Sequence, residues 1–370
     1  MSDVNILVVD DSALMRKLVS AMVEEQAGLH VIDTAMNGKI ALEKIPRLNP
    51  DAIVLDIEMP EMNGIEFLKE RKRLGINIPV IVLSSIAEKG AAVTMECLSL
   101  GASDFVTKPS GSISVDVAKV KERVNELLLA YGGQYQRRFK KAAGPVSETV
   151  SKALVGGDKA VASVSPDKKI TPLMKPGRVE LIVLGISTGG PEALRVVFAN
   201  LAPDLKVPML VVQHMPAGFT LEFARSLNKI CPLDVKEAAE GDQILPGRIL
   251  IAEGSKHLEV ERGASGGIVH LPDTPLVSGH KPSADVLFAS AAMAYHNHVL
   301  GVIMTGMGRD GAVQLGSIYR EGGITLGQDE SSAIVYGMPR VAFEMGNVME
   351  QVALEKMGQR ISEVAKASKL

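Results

Sequence analysis

Three segments in the second half of the chain carry the residue types of acyl-transfer chemistry. Ser187 lies in a Gly-Ile-Ser-Thr-Gly segment, which fits the G-x-S-x-G turn that exposes a serine between a strand and a helix. His214 closely follows a Leu-Val-Val run, and Asp310 follows Val-Ile-Met and a glycine-rich stretch. A serine nucleophile needs a base that takes its proton and a carboxylate that orients the base. We therefore predict a hydrolytic site with Ser187 as nucleophile, His214 as general base and Asp310 as orienter.

Spacing alone leaves alternatives to this site open. A glycine-rich turn also suits a dinucleotide pyrophosphate, but such a fold would want an acidic residue near the end of the second strand, where this chain has His214. His280 is the strongest rival for the base. Asp285 is a rival for the orienter, although its place near a predicted helix start also suits a plain charge interaction with the helix. The chain order Ser, His, Asp differs from that of α/β-hydrolases, so the turn does not assign the chain to that fold.

A second predicted site lies in the first half of the chain. Five polar residues stand at the ends of apolar runs: Asp10, Asp11, Asp56, Ser84 and Lys108. Parallel strands present their carboxyl ends at one edge of a sheet, so these side chains are expected to converge. Crowded carboxylates need a cation, and Mg²⁺ prefers oxygen ligands and phosphate-bearing partners. Helix capping would explain one aspartate but not the whole set. The pattern predicts a site for a phosphoryl group on a carboxylate, neutralised by the metal and by lysine.

Two alternations of strand and helix are predicted to position these residues. The first has β-rich runs at residues 6–9, 30–35, 52–55, 80–83 and 104–107. The second has buried runs at residues 179–185, 207–212 and 299–304. It also has shorter runs that can include antiparallel pairs, at residues 248–252, 257–261 and 268–271. The chain is therefore predicted to be an α/β protein with two doubly wound parallel-sheet domains.

A change in composition separates the two alternations. The last helix of the first half is expected over residues 115–130, after which Gly, Pro, Ser, Ala and Lys dominate without a clear period. We predict a first domain at residues 1–130, a linker at 131–176 and a second domain at 177–370. The linker carries a basic cluster that is most simply a solvated stretch, at Arg137, Arg138, Lys140 and Lys141.

The composition of the chain disfavours several classes of protein. Its 370 residues are 46% hydrophobic and 22% charged, which is typical of a soluble globular protein with more than one domain. A net charge of −3, 4% aromatic residues and no tryptophan offer little for nucleic-acid binding. Cys97 and Cys231 lie too far apart to suggest a disulfide framework or a zinc site. Neither a signal peptide nor a membrane-length apolar run fits the sequence, so a cytoplasmic location is expected.

The first half resembles the receiver domains of response regulators. The resemblance rests on Val-Val-Asp-Asp-Ser, Leu-Asp-Ile-Glu-Met-Pro with a later Asn-Gly, and Phe-Val-Thr-Lys-Pro. It implies a flavodoxin-like fold in which a partner histidine kinase phosphorylates Asp56. Ser84 and Lys108 would contact the phosphoryl oxygens, with Ser85 as a weaker candidate, and Phe105 occupies the aromatic switch position. The resemblance also implies that the carboxylates of Asp10, Asp11 and Asp56 hold Mg²⁺. The backbone carbonyl of Glu58 is the fourth implied protein ligand.

The second half resembles the catalytic domain of chemotaxis protein-glutamate methylesterases. The resemblance rests on Gly-Ile-Ser-Thr-Gly-Gly-Pro, Gln-His-Met-Pro, His-Lys-Pro-Ser and Thr-Gly-Met-Gly-Arg-Asp-Gly, and the order of receiver, linker and esterase is itself characteristic. It implies a Rossmann-like fold, the triad Ser187, His214 and Asp310, and backbone amides of Thr188 and Met307 as oxyanion donors. Ala-Glu-Gly at residues 252–254 departs from the family, which often has proline in the middle, but it affects a loop and not the triad.

These resemblances imply a phosphorylation-activated hydrolase of glutamyl γ-methyl esters on chemoreceptor cytoplasmic domains, which releases methanol. Some family members also deamidate receptor glutamines. The implied cofactor is Mg²⁺ at the receiver site, with none for ester hydrolysis. The implied partners are methyl-accepting chemoreceptors, as substrate, and a chemotaxis histidine kinase, as phosphodonor. The protein is expected to be a monomer that neither binds nucleic acid nor inserts into the membrane. The unphosphorylated receiver would lie over the active site, and phosphorylation would shift the population of two domain arrangements. The rival interpretations are a response regulator that binds DNA or a ligand, and a receiver-linked dinucleotide enzyme.

Overall fold

The computed structural model describes residues 3–84, 88–108, 114–140, 172–263 and 266–367. These residues form two parallel sheets and one antiparallel ribbon. The predicted α/β class with two doubly wound sheets is therefore confirmed. Ser85 and residues 141–171 of the predicted linker at 131–176 lie outside the described residues. No helix within the described ranges combines the length and the hydropathy that a membrane crossing requires.

The first sheet contains the five strands predicted from the sequence. They are β1 (Val4–Val9), β2 (Leu29–Ala35), β3 (Ala52–Asp56), β4 (Val80–Ser84) and β5 (Asp104–Thr107). All are parallel, in the order β2-β1-β3-β4-β5. The helices that follow them are α1 (Ala13–Glu24), α2 (Gly38–Leu48), α3 (Gly64–Arg73), α4 (Glu88–Ser99) and α5 (Ser114–Tyr135). Strands β3 and β4 are buried along their whole length, as expected where helices cover both faces of a parallel sheet.

Helix α5 is longer than the sequence pattern indicated. It continues to Tyr135, so the predicted helix end at Ala130 is wrong. Gly132 packs against the first strand, because a Cβ atom at this position would lie 2.2 Å from a side-chain carbon of Val4. The glycine is thus needed for a close contact, whereas in the sequence it resembles a flexible linker residue. The predicted linker begins with helical residues, and the proposed domain boundaries stay a prediction.

The second sheet contains seven parallel strands. They are β6 (Leu181–Ile186), β7 (Met209–Gln213), β8 (Asp234–Glu237), β9 (Arg248–Ile251), β12 (Val299–Ile303), β13 (Ile324–Gln328) and β14 (Glu350–Val352). The antiparallel ribbon consists of β10 (Glu259–Gly263) and β11 (Gly266–His270). The sequence pattern missed β8, β13 and β14, because they are short and contain charged residues or glycine.

The order of strands in the second sheet is β14-β13-β12-β6-β7-β9-β8. The chain places β7, β8 and β9 on one side of β6, with β9 between β7 and the edge strand β8, and then adds β12, β13 and β14 outward on the other side. The helices of this half are α6 (Gly190–Ala199), α7 (Thr220–Asn228), α8 (Ala284–Tyr295), α9 (Ala312–Arg320), α10 (Met338–Glu344) and α11 (Leu354–Ala367). In open parallel sheets, ligands bind beyond the carboxyl ends of the strands where the order reverses. Here that position is the gap between the ends of β6 and β12.

Candidate functional site

Ser187, His214 and Asp310 follow three adjacent strands and meet at one edge of the second sheet. Strand β6 pairs with β7 on one side and with β12 on the other. His214 Nδ1 lies 3.0 Å from Ser187 Oγ, and His214 Nε2 lies 2.7 Å from Asp310 Oδ2. The structure therefore brings the three predicted residues together as one hydrogen-bonded series.

Ser187 occupies a tight turn between β6 and α6. Its backbone N–H donates to Thr305 O at 3.0 Å, and its carbonyl accepts the N–H of Gly190 at 2.8 Å. Gly189 adopts a φ of 82°, which strains any residue with a side chain. The turn thus places the serine next to the N-terminal end of α6, where helix amides favour negative charge.

The two ring nitrogens of His214 have different partners. Burial acts to raise the pKa of Asp310, but hydrogen bonds from His214, Ser283 and Ala284 outweigh it and hold the pKa below the ordinary value. An ionised carboxylate only accepts hydrogen bonds, so Nε2 of His214 carries the proton. In a neutral imidazole with this tautomer, Nδ1 has the lone pair that can accept the Ser187 hydroxyl. The imidazole is oriented to take the serine proton through Nδ1.

The N-terminal end of α8 holds the Asp310 carboxylate. Ser283, the N-cap residue of α8, donates its hydroxyl to Asp310 Oδ1 at 2.6 Å. The backbone N–H of Ala284 donates to Oδ2 at 2.7 Å, and that of Asp285 donates to Oδ1 at 3.2 Å. These donors carry the positive end of the helix dipole, which stabilises the ionised form. Sequence reasoning missed this role of Ser283, because the pattern of an N-cap does not reveal a distant acceptor.

Among the described contacts, the side chains of the two rivals, His280 and Asp285, form no hydrogen bond with Ser187, His214 or Asp310. The ring of His280 stacks on that of His214, with centroids 3.8 Å apart and planes 15° apart. Burial, together with the neighbouring His214, lowers the pKa of His280 to about 4. His280 is therefore neutral near pH 7 and covers one face of the His214 ring. The Asp285 carboxylate accepts the Ser278 hydroxyl at 2.9 Å.

The two predicted oxyanion donors lie in the loops that follow β6 and β12. In the part of the chain that the structure describes, no acceptor bonds the backbone N–H of Thr188 or of Met307. The neighbouring N–H of Gly189 is occupied, since it donates to Asp104 Oδ2 of β5 at 3.3 Å. Amides without acceptors beside a nucleophile can bind the negative charge that develops during acyl transfer.

The predicted acidic site also forms. Asp10, Asp11 and Asp56 each place one carboxylate oxygen within 4.8 Å of the others. Lys108 Nζ lies 2.7 Å from Asp56 Oδ1 and 3.5 Å from Asp10 Oδ2. Burial, followed by the charge of Asp56, raises the pKa of Asp10. Within the described residues, Asp10 Oδ2 is buried without a hydrogen-bond partner. Crowded, partly unsatisfied carboxylate oxygens fit the ligand preference of Mg²⁺.

Ser84 and Glu58 complete the predicted set at this edge. The Ser84 hydroxyl lies 2.5 Å from Thr94 Oγ1 of α4, and Thr94 in turn donates to Gly90 O at 2.6 Å. The serine is thus engaged with α4 in this arrangement. Glu58 is exposed in the loop after β3, and its role as a carbonyl ligand stays a prediction.

Comparisons with known proteins agree on both halves of the chain. Residues 6–117 match the response regulator receiver domain, and residues 182–361 match the CheB methylesterase family. The chain is 54% identical over 369 residues to the "Protein-glutamate methylesterase/protein-glutamine glutaminase" of Treponema denticola, with 99% of each chain covered. A protein of the same name from Treponema pallidum is 48% identical, with 99% of this chain and 98% of that protein covered. Another from Bacillus subtilis is 42% identical, with 99% of this chain and 100% of that protein covered. The chain therefore belongs to the CheB methylesterase family, and it carries a response regulator receiver domain ahead of the methylesterase domain.

Proposed function

We propose that this protein hydrolyses glutamyl γ-methyl esters on the cytoplasmic domains of methyl-accepting chemoreceptors and that phosphorylation of Asp56 activates it. The observation that carries the proposal is the hydrogen-bonded series Ser187, His214 and Asp310 in a chain of this family. The names of the relatives support a second reaction, deamidation of receptor glutamines by the same acyl chemistry. A chemotaxis histidine kinase would supply the phosphoryl group to a cytoplasmic, monomeric enzyme.

In the proposed reaction, Ser187 Oγ attacks the ester carbonyl carbon while His214 Nδ1 takes the hydroxyl proton. The amides of Thr188 and Met307 would bind the oxyanion of the tetrahedral intermediate. The intermediate then breaks the bond to the methoxy oxygen, and His214 returns the proton, so that methanol leaves. Water attacks the acyl-enzyme by the same route, which releases glutamate and restores the serine. Asp310 stabilises the imidazolium that forms in each step.

At the receiver site, Asp10, Asp11, Asp56 and the Glu58 carbonyl would hold Mg²⁺, whose positive charge favours phosphoryl transfer to Asp56. Lys108 already pairs with Asp56 and would contact the phosphoryl oxygens instead. The Ser84 hydroxyl would exchange its hydrogen bond with α4 for one to a phosphoryl oxygen.

The receiver contacts the turn that carries the nucleophile. Asp104 Oδ2 accepts the Gly189 N–H at 3.3 Å, and Arg123 of α5 donates to Thr188 Oγ1 at 2.7 Å. Gly189 and Thr188 directly follow Ser187 in the chain, so these contacts act on the catalytic turn itself. We propose that this arrangement is the inhibited one.

Strand β5 links those contacts to the phosphorylation site. Lys108, which pairs with Asp56, directly follows β5. Phe105 of β5 stacks on Phe219, with ring centroids 4.8 Å apart. A phosphoryl group that draws Lys108 to itself would shift β5 and weaken the stack. The phosphoryl group would thus interact differently with the inhibited arrangement and with the arrangement in which the receiver has moved. A shift in the populations of two arrangements requires such a difference.

The test of the proposal measures methanol release from methylated receptor membranes, for the wild-type protein and for Asp56→Asn. A small-molecule phosphodonor with Mg²⁺ should raise the wild-type rate by about 5- to 150-fold, the usual range of coupling between two sites. Asp56→Asn has no acceptor carboxylate at this position, so its rate should stay at the basal level with the donor. Absence of release by wild-type protein from a receptor known to be methylated would overturn the esterase function. Equal stimulation of both proteins would overturn the role of Asp56.

Loss of the contact between Arg123 and Thr188 should raise the basal rate. A hydrogen bond to a charged group contributes about 1.5–3 kcal/mol, and about 1.4 kcal/mol is tenfold in an equilibrium. We therefore expect Arg123→Ala to release methanol about tenfold faster than wild type without the phosphodonor. Lys119→Ala is the matched control, since Lys119 is an exposed cation on the same helix. An unchanged basal rate in Arg123→Ala would contradict the inhibitory role of this contact.

A further inference from the structure

Gln213, the last residue of β7, connects the two segments that carry the nucleophile and the base. Its side chain is buried, with only 2% exposed. Its Nε2 lies 3.0 Å from the carbonyl oxygen of Ser187 and 3.0 Å from that of His214. Because only the NH₂ group of an amide can donate, this orientation is the one that suits two carbonyl acceptors. A single amide thus bonds the main chain of both residues whose side chains exchange the proton.

The sheet itself does not provide this connection. Pairing between β6 and β7 ends at Ile186 and Gln213, with a last hydrogen bond from His214 N to Ile186 O at 3.1 Å. Ser187 lies beyond that point, and His214 takes part in the ladder only through its N–H. The Gln213 side chain adds a cross-link between the carbonyl groups of Ser187 and His214, which that ladder bond does not reach.

We propose that Gln213 is a positioning residue, which fixes Ser187 and His214 relative to each other and so sets the geometry of proton transfer. The inference rests on the proposed hydrolytic function. Reacting groups must be held close to their productive geometry, and a displacement of about 1 Å can lower the rate by about 10²-fold. The hydrogen bonds of the amide go to main-chain carbonyls, so its effect would pass through the backbone of the two residues.

Gly190 provides the space that this amide needs. A Cβ atom at residue 190 would lie 1.8 Å from Gln213 Oε1 and 2.8 Å from its Cδ. Gly190 is not among the glycines with a positive φ, so space and not backbone conformation requires glycine here. Gln213 Oε1 itself has no hydrogen-bond partner among the described residues, so the amide acts through its two N–H bonds. Either an apolar residue at 213 or a side chain at 190 would remove the cross-link.

The experiment compares wild type with Gln213→Met, Gln213→Glu and Gly190→Ala in two assays. Methionine keeps the length but has no donor, and ionised glutamate keeps the shape but can only accept. The first assay measures kcat and KM for methanol release from methylated receptors with phosphodonor and Mg²⁺. The second measures the rate at which a fluorophosphonate probe modifies Ser187, a reaction that requires no chemoreceptor substrate. We expect kcat and the modification rate to fall by about 10²-fold, with KM within about threefold of wild type.

Asn125 offers a matched control for the loss of a buried amide. It is 3% exposed and donates to Met22 O at 3.0 Å, remote in the chain from the catalytic loops. Asn125→Leu should lower the midpoint of thermal unfolding but leave the modification rate of Ser187 within about twofold of wild type. A Gln213→Met protein whose probe rate and kcat stay within about threefold of wild type would overturn the inference. A fall in thermal stability with unchanged rates would also overturn it, because Gln213 would then be merely structural.

The two assays separate failure of the inference from failure of the proposed function. If wild type reacts with the probe but releases no methanol, the substrate is wrong, and the probe rates of the variants still decide the role of Gln213. If a Gln213 variant fails to fold, Gly190→Ala tests the same cross-link from the other side. Phosphorylation of Asp56 by the phosphodonor reports the integrity of the receiver in every variant.

Discussion

Replacing Ser187 by alanine is expected to lower the rate of methanol release by about 10⁶-fold, the size of effect seen when a serine nucleophile is removed from a triad. Alanine has no oxygen to form the acyl-enzyme, and His214 then has no proton to take at Nδ1. The hydrogen bonds of the turn are formed by the backbone of residue 187, so the turn itself should persist. The measurement is methanol release from methylated receptor membranes at saturating phosphodonor and Mg²⁺.

Two controls define this result. Ser331→Ala removes an exposed serine and should release methanol at the wild-type rate. Ser187→Ala should still accept a phosphoryl group at Asp56, which shows that the receiver is intact. Removing the nucleophile alone lowers kcat by far more than about 100-fold. A Ser187→Ala protein that keeps more than about one hundredth of the wild-type rate would therefore show that another group forms the acyl bond.

The second large effect is expected for Asp310→Asn, whose kcat should fall by about 10⁴-fold. Asparagine has no charge to stabilise the imidazolium, and its amide can donate to His214 Nε2. Nδ1 would then carry the proton and could no longer accept one from Ser187. The N–H and hydroxyl donors of Ser283 and Ala284, which now hold the pKa of Asp310 low, would face a neutral group. Steady-state kinetics of methanol release measure the loss.

Asp285→Asn is the matched substitution for this prediction. The Asp285 carboxylate accepts a hydrogen bond from Ser278 and has no bond to His214 among the described contacts. We expect its kcat to remain within about threefold of wild type. The substitution removes the charge of a carboxylate that does not bond His214. A larger loss in Asp285→Asn than in Asp310→Asn would make Asp285 the orienter of the base.

Most of the longer strands, and the residues at their ends, can be located from the sequence. Strands buried on both faces must be continuous apolar runs, so β1, β3, β4, β6 and β12 could be located from composition alone. The polar residue that follows such a run lies at the carboxyl edge of the sheet by the geometry of parallel strands. For this reason Ser187, His214, Asp310 and the acidic residues around Asp56 could be predicted as two sites. Short strands with charged residues or glycine, such as β8 and β13, lack that signal and were missed.

Which groups face one another depends on the tertiary fold. Local patterns record burial and turns, whereas the order β12-β6-β7 depends on how the chain crosses the sheet. That order brings Asp310, and not Asp285, to His214 and sets Nδ1 toward Ser187. The cross-link made by Gln213 and the support from Ser283 also join segments far apart in the chain, for which spacing carries no information. The contact of the receiver with the turn at Ser187 depends on the packing of two domains, which no local pattern encodes.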